Sequence, residues 1–278
     1  MKLFRISLII ASSISAGVLA DAPWDSFLGP CQYEAYGTTT TGSNGTSDLL
    51  ALDMSDGTGS TIGTVTGNGI HRITAIDFSP FGVLYGIGED ANDVSSLIVI
   101  HCVTAKALII GATGIASGQT ITDLSFDSNG VLWGYAHGGS NPDEVGTINL
   151  GTGAFTSVGE TGIDTDNGNG LFHDEEDNLY HAGGDNLSSI DQSTGEATTI
   201  TSLSFSSPGN DNPRYTALDI NDSDVIYGAL NDKPSGSGSQ PDNYIVTFDL
   251  STGGMSFLAS PVENAPDNLA GFSFNPNY

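Results

Sequence analysis

A motif of 14 residues returns at intervals of about 48 residues, and this repetition limits the fold more than any single residue does. The clearest copies are residues 73–86, ITAIDFSPFGVLYG, and residues 121–134, ITDLSFDSNGVLWG. Each copy is followed by a strand-like run and a short turn. A fixed period of this size is typical of repeat architectures, and short strands inside each unit favour a β-propeller over a helical solenoid.

The repeated units align on two positions, the residue that closes the first strand and an aromatic residue in the second strand. The closing residues are Phe78, Phe126, Phe172, Ile220 and Phe274, and the aromatic residues are Tyr36, Tyr85, Trp133, Tyr180 and Tyr227. Third and fourth strands follow, joined by turns rich in Gly, Asn, Asp and Ser. Each unit is therefore predicted to be a four-stranded blade, with strands A to D running outward. Because the aromatic residues recur once per unit, we interpret them as core residues between blades.

The two ends of the chain predict how the ring closes. The first unit, residues 33–66, has strands B to D and no preceding strand A, whereas residues 269–274 form a strand A alone. Each fragment by itself would leave a sheet edge unpaired. Joined, they complete one blade. We therefore predict an all-β, five-bladed β-propeller of four-stranded blades, closed by pairing the C-terminal strand with the N-terminal blade; six blades is the alternative.

Residues 1–20 have the composition of a secretory signal peptide, with basic Lys2 and Arg5, an apolar stretch and small residues at the end. The expected organisation is this signal peptide, an N-terminal segment over residues 21–32 and a propeller over residues 33–278. The mature protein is expected to be secreted, in an extracellular or periplasmic location. No later apolar run reaches the ~20 residues of a membrane span.

The mature chain is strongly acidic. Loss of Lys2 and Arg5 leaves four basic side chains against 33 acidic ones, a formal net charge of −29. The four are Arg72, Lys106, Arg214 and Lys233. Such a surface repels nucleic acid and anionic membranes, so neither is expected as a partner. A solvated acidic coat and a specific cation-binding role are both compatible with this charge.

The chain has two cysteines, Cys31 and Cys102. In an exported protein a disulfide is the default expectation. The propeller arrangement places both near one end of neighbouring blades, where a bridge between them would tie down the N-terminal segment.

Candidate ligand-binding residues lie in the D–A and B–C connections, which share the face that usually holds a propeller's ligand. They are His71, Arg72, His137, Asp164, Asp166, His181 and Arg214. These loops vary while the strands repeat, as expected where function is carried by a scaffold. The three histidines come from different blades and are either a metal or general-base cluster or unrelated loop residues.

Asp164 and Asp166, with Glu175, superficially resemble a calcium loop. The sixth position of that loop is Asn169 where the turn requires Gly, and Phe172 must lie in a strand, so we reject an EF-hand. A looser calcium site in an acidic loop is left open. No cofactor is expected to be required, calcium is the candidate if there is one, and the metal ligands are unknown.

No nucleophile elbow, phosphate loop or dinucleotide fingerprint occurs in its proper context, so no catalytic residue is assigned. Carboxylate pairs are abundant among 33 acidic residues and have little specificity as a glycosidase acid and base.

The recurring motifs resemble those of the NHL, YVTN and regucalcin-like superfamily of propellers, which includes secreted repeat proteins. The matching segments are residues 84–86, 132–134 and 226–228, reading LYG, LWG and IYG, and residues 190–198, IDQSTGEAT. The resemblance covers nearly the whole mature chain and implies the fold. Calcium-dependent lactonases and lyases of that superfamily carry acidic and Asn ligands at the central channel, and no set of residues here matches them one by one.

Three functions remain after these exclusions. The first is a non-enzymatic secreted scaffold, more expected than an enzyme, that binds a glycan, a cation or a protein on its loop face. The second is a calcium-assisted hydrolase or lyase acting on a carbohydrate or lactone. The third is a structural subunit of an extracellular assembly that contacts copies of itself. An enzyme should show a deep channel with close carboxylates or a metal cluster, and a binder should show a shallow pocket lined by aromatic residues.

Overall fold

Five antiparallel sheets of four strands each form a ring in the computed structural model. The structure describes residues 30–40, 45–138, 141–163, 169–184, 186–203, 213–232, 242–258, 261–262 and 268–278. The five-bladed all-β propeller is thereby confirmed against the six-bladed alternative. No helix among these residues is long and apolar enough to cross a membrane.

The strands are numbered along the chain, and the blades follow the same order. Blade 1 begins with β1 (Ala35–Thr40), β2 (Asp48–Leu52) and β3 (Gly59–Thr64). Blade 2 contains β4 (Ile70–Phe78), β5 (Leu84–Asp90), β6 (Ser95–His101) and β7 (Lys106–Ala112). Blade 3 contains β8 (Thr120–Phe126), β9 (Leu132–His137), β10 (Glu144–Ile148) and β11 (Phe155–Glu160). Blade 4 contains β12 (Asn169–His173), β13 (Leu179–Gly183), β14 (Asn186–Ile190) and β15 (Ala197–Ser202). Blade 5 contains β16 (Pro213–Ile220), β17 (Ile226–Asp232), β18 (Asp242–Phe248) and β19 (Met255–Phe257), and β20 (Asn268–Phe274) returns to blade 1.

The C-terminal strand closes the ring, as predicted. Strand β20 is the innermost strand of blade 1 and pairs antiparallel with β1, with Phe274 opposite Ala35 and Ser273 opposite Tyr36. The first and last segments of the chain therefore share one sheet, and the inner edge that β1 would otherwise expose is covered.

The core lies between blades, where each sheet packs against its neighbours. Five buried clusters fill the five gaps. In the gap between blades 1 and 2, for example, Tyr36 and Leu49 pack with Ile73 and Phe78. The predicted aromatic position is confirmed: the Tyr36 ring lies 5.5 Å from that of Phe78 in the next blade. These rings stabilise the contacts between blades through their large buried area.

The alignment of blade 4 was wrong by one residue. Phe172 pairs with Tyr180, so it occupies the position before the closing residue, and His173 occupies the closing position itself. The His173 ring lies 6.0 Å from the Trp133 ring of blade 3. Phe78 makes the equivalent contact with the Tyr36 ring of blade 1. A histidine fits this buried place because Ser125 Oγ lies 2.8 Å from its Nδ1. Burial lowers the pKa of His173 to about 4, so the ring is neutral.

The predicted disulfide is also confirmed. Cys31 and Cys102 are bonded, with their Cα atoms 5.5 Å apart. The bridge joins the segment before β1 to the β6–β7 turn, so it links blades 1 and 2. Structural disulfides are typical of proteins that fold in an oxidising compartment.

Candidate functional site

The central channel is built from the free edges of the five inner strands. Backbone amides at such an edge have no strand partner, so side chains must satisfy them. In four blades a side chain accepts a hydrogen bond from the inner strand of the next blade. The bonds run from Phe126 N to Asp77 Oδ2 (2.7 Å), His173 N to Ser125 Oγ (2.9 Å), Phe274 N to Asp219 Oδ2 (2.7 Å) and Phe78 N to Ser273 Oγ (3.0 Å). In blade 4 this position holds Phe172, whose side chain cannot accept a hydrogen bond, so the series of bonds around the channel is interrupted there.

Asp123 blocks the middle of the channel. Its Oδ2 accepts hydrogen bonds from Leu171 N (2.7 Å) and Leu218 N (3.0 Å), so a side chain of blade 3 reaches the inner strands of blades 4 and 5. The strand pairing places small residues at the same level in the other blades. They are Ala75, Gly170, Ala217 and Gly271. Burial raises the pKa of Asp123 well above its usual range. Asp123 thus divides the channel into two funnels, one opening on each face of the ring.

The funnel on the D–A and B–C face holds a cavity of about 260 Å³, which we call the channel mouth. Its walls are hydroxyl, amide, guanidinium and imidazole side chains with one alanine. The lining residues are Thr40, Arg72, Thr74, Thr120, Thr122, His137, Asn169, Arg214, Thr216, Asn231, Asn268 and Ala270. This composition fits neither expected pattern, since the described residues of the lining include no Phe, Tyr or Trp and no Asp or Glu. It is suited to a polar ligand with several hydrogen-bonding groups.

β-Bulges direct threonines into the mouth. The pairing of the A and B strands shifts at Thr74, Thr122 and Thr216, which leaves each of them opposite no single partner. A bulge of this kind re-aims a side chain. Thr74 Oγ1 donates to Ile121 O of the next blade at 2.7 Å. Our sequence reasoning missed these threonines, although an inner-strand Thr recurs at the same place in three repeats.

Two arginines line the mouth, and they differ in whether a carboxylate lies beside them. Arg72 Nη1 donates to Glu89 Oε2 at 2.8 Å, and the buried Glu89 also accepts from Thr120 Oγ1 at 3.2 Å. Among the described residues, no carboxylate lies within ion-pair distance of Arg214. The Nε atoms of both arginines are buried without a hydrogen-bond partner in that same part of the chain. Within the described part of the chain, the mouth therefore has one arginine that is paired with a carboxylate and one that is not.

His137 is held in one orientation by a buried carboxylate. Its Nδ1 lies 2.8 Å from Asp143 Oδ1 and 3.0 Å from Oδ2. Asp143 also accepts from Tyr135 Oη at 3.0 Å. On the side of Tyr135 away from the mouth, the His181 ring stacks on the Tyr135 ring, with centroids 4.2 Å apart. Burial lowers the pKa of His181 to about 3, so it is neutral and structural.

The structure brings together three of the seven predicted ligand-binding residues, Arg72, His137 and Arg214, at the mouth. His181 is fully buried behind it, and His71 is outside the lining. His71 lies beside Asp90, whose pKa is lowered mainly by the amides of residues 94 and 92 and least by this histidine. The three histidines do not form a cluster. Asp164 and Asp166 lie outside the described residues.

The opposite funnel, on the face of the A–B turns, is acidic. Asp77, Asp219 and further carboxylates line it. The others are Asp127, Asp174, Glu175, Asp177 and Asp222. Within the described ranges, no group of three or more His, Cys, Asp or Glu side chains is arranged to hold a metal ion. Calcium in an acidic loop therefore stays a prediction.

Ser273 joins two of these carboxylates across blades 1, 2 and 5. Its Oγ lies 2.7 Å from Asp77 Oδ1 and 3.0 Å from Asp219 Oδ2. One hydroxyl proton cannot serve both contacts, so the second requires a proton on a carboxyl group. Burial, and then the charge of Asp219, raise the pKa of Asp77, and burial raises the pKa of Asp219 to about 6.

Comparisons with known proteins define the class by fold alone. No protein-family model matches the chain, and no curated protein matches it. Among solved structures it is similar to TolB from Acinetobacter baumannii, at 14% identity and a TM-score of 0.50, over 84% of this chain and 54% of that one. The chain thus spans about half the length of TolB.

Two further propellers match more weakly. A gluconolactonase from Xanthomonas campestris has 12% identity and a TM-score of 0.47, over 88% of this chain and 84% of that one. Regucalcin, a calcium-binding protein from Agrobacterium tumefaciens, has 14% identity and a TM-score of 0.42, over 78% and 72%. The likeness to TolB is one of fold alone and assigns no activity, and the five blades are defined by the strand pairing.

Proposed function

We propose that this protein is a secreted, non-enzymatic binding scaffold whose ligand is a glycan held in the channel mouth. The observation that carries the proposal is the lining of the mouth. Threonine hydroxyls and asparagine amides surround one cavity. The hydroxyls of Thr74 and Thr120 already donate within the protein and keep lone pairs that can accept, whereas the Asn231 amide accepts from Leu269 N through its Oδ1 and keeps N–H groups that can donate. Sugar hydroxyls can both donate and accept, so they can pair with such a wall in several ways.

The size of the mouth limits what enters it. Its volume of about 260 Å³ is just below the ~300 Å³ at which pockets for drug-sized ligands begin. Asp123 closes the channel beneath it, so a chain cannot thread through. A single terminal sugar unit is the expected occupant, with the rest of the glycan lying across the loop face.

A glycan array probed with the labelled mature protein tests this function. We expect binding by the wild type and its loss in Asn268→Trp, because the indole would fill the mouth. Ile200→Trp is the matched control, since Ile200 is 47% exposed on the outermost strand of blade 4. Equal binding by both variants would locate the ligand elsewhere, and no binding by the folded wild type would refute the proposal.

The His137–Asp143 pair favours a second candidate, a hydrolase or lyase acting on a carbohydrate or lactone. A carboxylate on Nδ1 orients an imidazole as general acid–base groups require. If this is the activity, His137→Asn should lower kcat on glycoside and lactone substrates by about 10²-fold or more. Absence of turnover by the wild type across such a panel removes the candidate and leaves the binding function standing.

A further inference from the structure

We infer that the ligand of the channel mouth carries a carboxylate, held by the guanidinium of Arg214 with Arg72 beside it. The inference rests on the proposed glycan-binding function and names the chemical class of the glycan as an acidic saccharide of the uronic acid type. The starting point is the distribution of positive charge. The mature chain contains two arginines, and both line one cavity of about 260 Å³.

The two arginines are compensated unequally. Glu89 lies 2.8 Å from Arg72 Nη1, so that pair is close to neutral. No described carboxylate pairs with Arg214, although the chain has 33 acidic residues. Two guanidinium groups at one small site repel each other, and Glu89 offsets this for one of them. Among the described residues that line the mouth, Arg214 is thus a guanidinium without a carboxylate partner, which suits an anionic group of the ligand.

Buried donors without acceptors point to the same conclusion. The Nε–H groups of Arg72 and Arg214 are buried and have no acceptor in the described part of the chain. Leaving a buried donor unpaired is destabilising, and more so when the group is charged. A bound oxyanion would supply the missing acceptors. A guanidinium fork matches the two oxygens of a carboxylate in one plane, a geometry that a lysine ammonium cannot reproduce.

The acidic surface does not oppose such a ligand at working ionic strength. The Debye length is about 8 Å at 0.15 M salt, so charges farther away than this are largely screened. The charges in and next to the lining, those of Arg72, Arg214, Glu89 and Asp143, then dominate the local field. The same wall also carries threonine and asparagine side chains, whose polar atoms suit the hydroxyl groups of a sugar acid. A carboxylate and several hydroxyls on one small ring describe a uronic acid.

Titration calorimetry with defined probes tests the inference. The probes are disaccharides ending in glucuronic or galacturonic acid, their methyl esters, the neutral sugars and the 6-sulfated sugars. We expect the acids to bind at least ~10-fold more tightly than the esters, as a charged hydrogen bond worth about 1.5–3 kcal/mol implies. Arg214→Gln should remove that advantage, so that this variant binds the acids and their esters with affinities within about 2-fold of each other. Arg214→Lys should fall between the two, because it keeps the charge and loses the fork.

Lys106→Gln is the matched control, because it removes one positive charge at an exposed position outside the mouth. It should leave all affinities within about 2-fold. Arg72 is not used for the test, because its removal would leave Glu89 buried without its partner. Equal binding of acids and esters would overturn the carboxylate assignment while the glycan-binding function stands. Tighter binding of the sulfated sugars would also overturn it. If neither acidic nor neutral sugars bind, both proposals fail.

Discussion

Removal of the last ten residues, 269–278, is expected to abolish cooperative folding of the whole propeller. The deletion takes away nearly all of strand β20, which pairs with β1 and contacts the inner strands of blades 2 and 5. It also removes Leu269 and Phe272, which are fully buried or nearly so. Truncating one buried Phe costs about 3–5 kcal/mol, and the stability of a domain is about 5–15 kcal/mol. The combined loss exceeds what such a fold can sustain.

Thermal denaturation followed by circular dichroism and calorimetry measures this effect. The matched control removes Asn277 and Tyr278 alone; Tyr278 is 74% exposed, and the control leaves β20 intact. It should melt within a few degrees of the intact protein. Adding a peptide of residues 268–278 to the truncated chain should restore the transition, because the peptide supplies the missing strand. A truncated chain that melts cooperatively near the wild-type Tm would contradict closure by β20.

The protein is expected to lose stability as the pH rises from 5 to 7.5, because Asp77 and Asp219 share a proton through Ser273. An aspartate in an unfolded chain titrates near 3.9, whereas the pKa of Asp219 in the fold is raised to about 6 and that of Asp77 is raised as well. The folded state therefore binds more protons between these values. The stabilisation that these extra bound protons give is complete below about pH 4 and is lost as the pH rises through about 6.

The size of this effect is on the order of 2 kcal/mol for Asp219, after allowance for the part of its side chain that solvent still reaches. Asp219→Asn removes one of the two charges and should flatten the plot of Tm against pH. General charge repulsion within an acidic protein would also lower the Tm as the pH rises. The control is therefore Asp222→Asn, at an exposed residue three positions along. The control should keep the wild-type slope. Equal slopes for all three proteins would show that the pair does not share a proton in the fold.

The architecture could be read from the sequence because the physics that sets it is local and repeated. The aromatic position represented by Tyr85 and Trp133 recurs once per blade, and each blade needs such a residue for the same gap. The missing first strand and the surplus last strand predicted closure for a similar reason, since an unpaired edge is costly. The disulfide followed from two cysteines on neighbouring blades.

The candidate site could be read only in part. Arg72, His137 and Arg214 were singled out as loop residues of the ligand face, and they do meet at the mouth. His181 was placed there too, but alternation along its strand turns it into the core, where it stacks on Tyr135. In blade 4 the closing position of the inner strand was predicted to be Phe172 and is His173. The hydrophobic pattern alone favours the phenylalanine, so it misplaced this strand by one residue.

The sequence by itself therefore determined the class of fold, the number of blades, the closure of the ring and the pairing of its cysteines. Each of these follows from a pattern that is repeated or from an end that must be matched. Only the tertiary structure decided which side chains face the channel. Bulges turn a threonine inward in blades 2, 3 and 5, and Asp123 crosses the axis to amides more than 40 residues away. Such contacts depend on the distances between blades, and no local pattern along one strand encodes them.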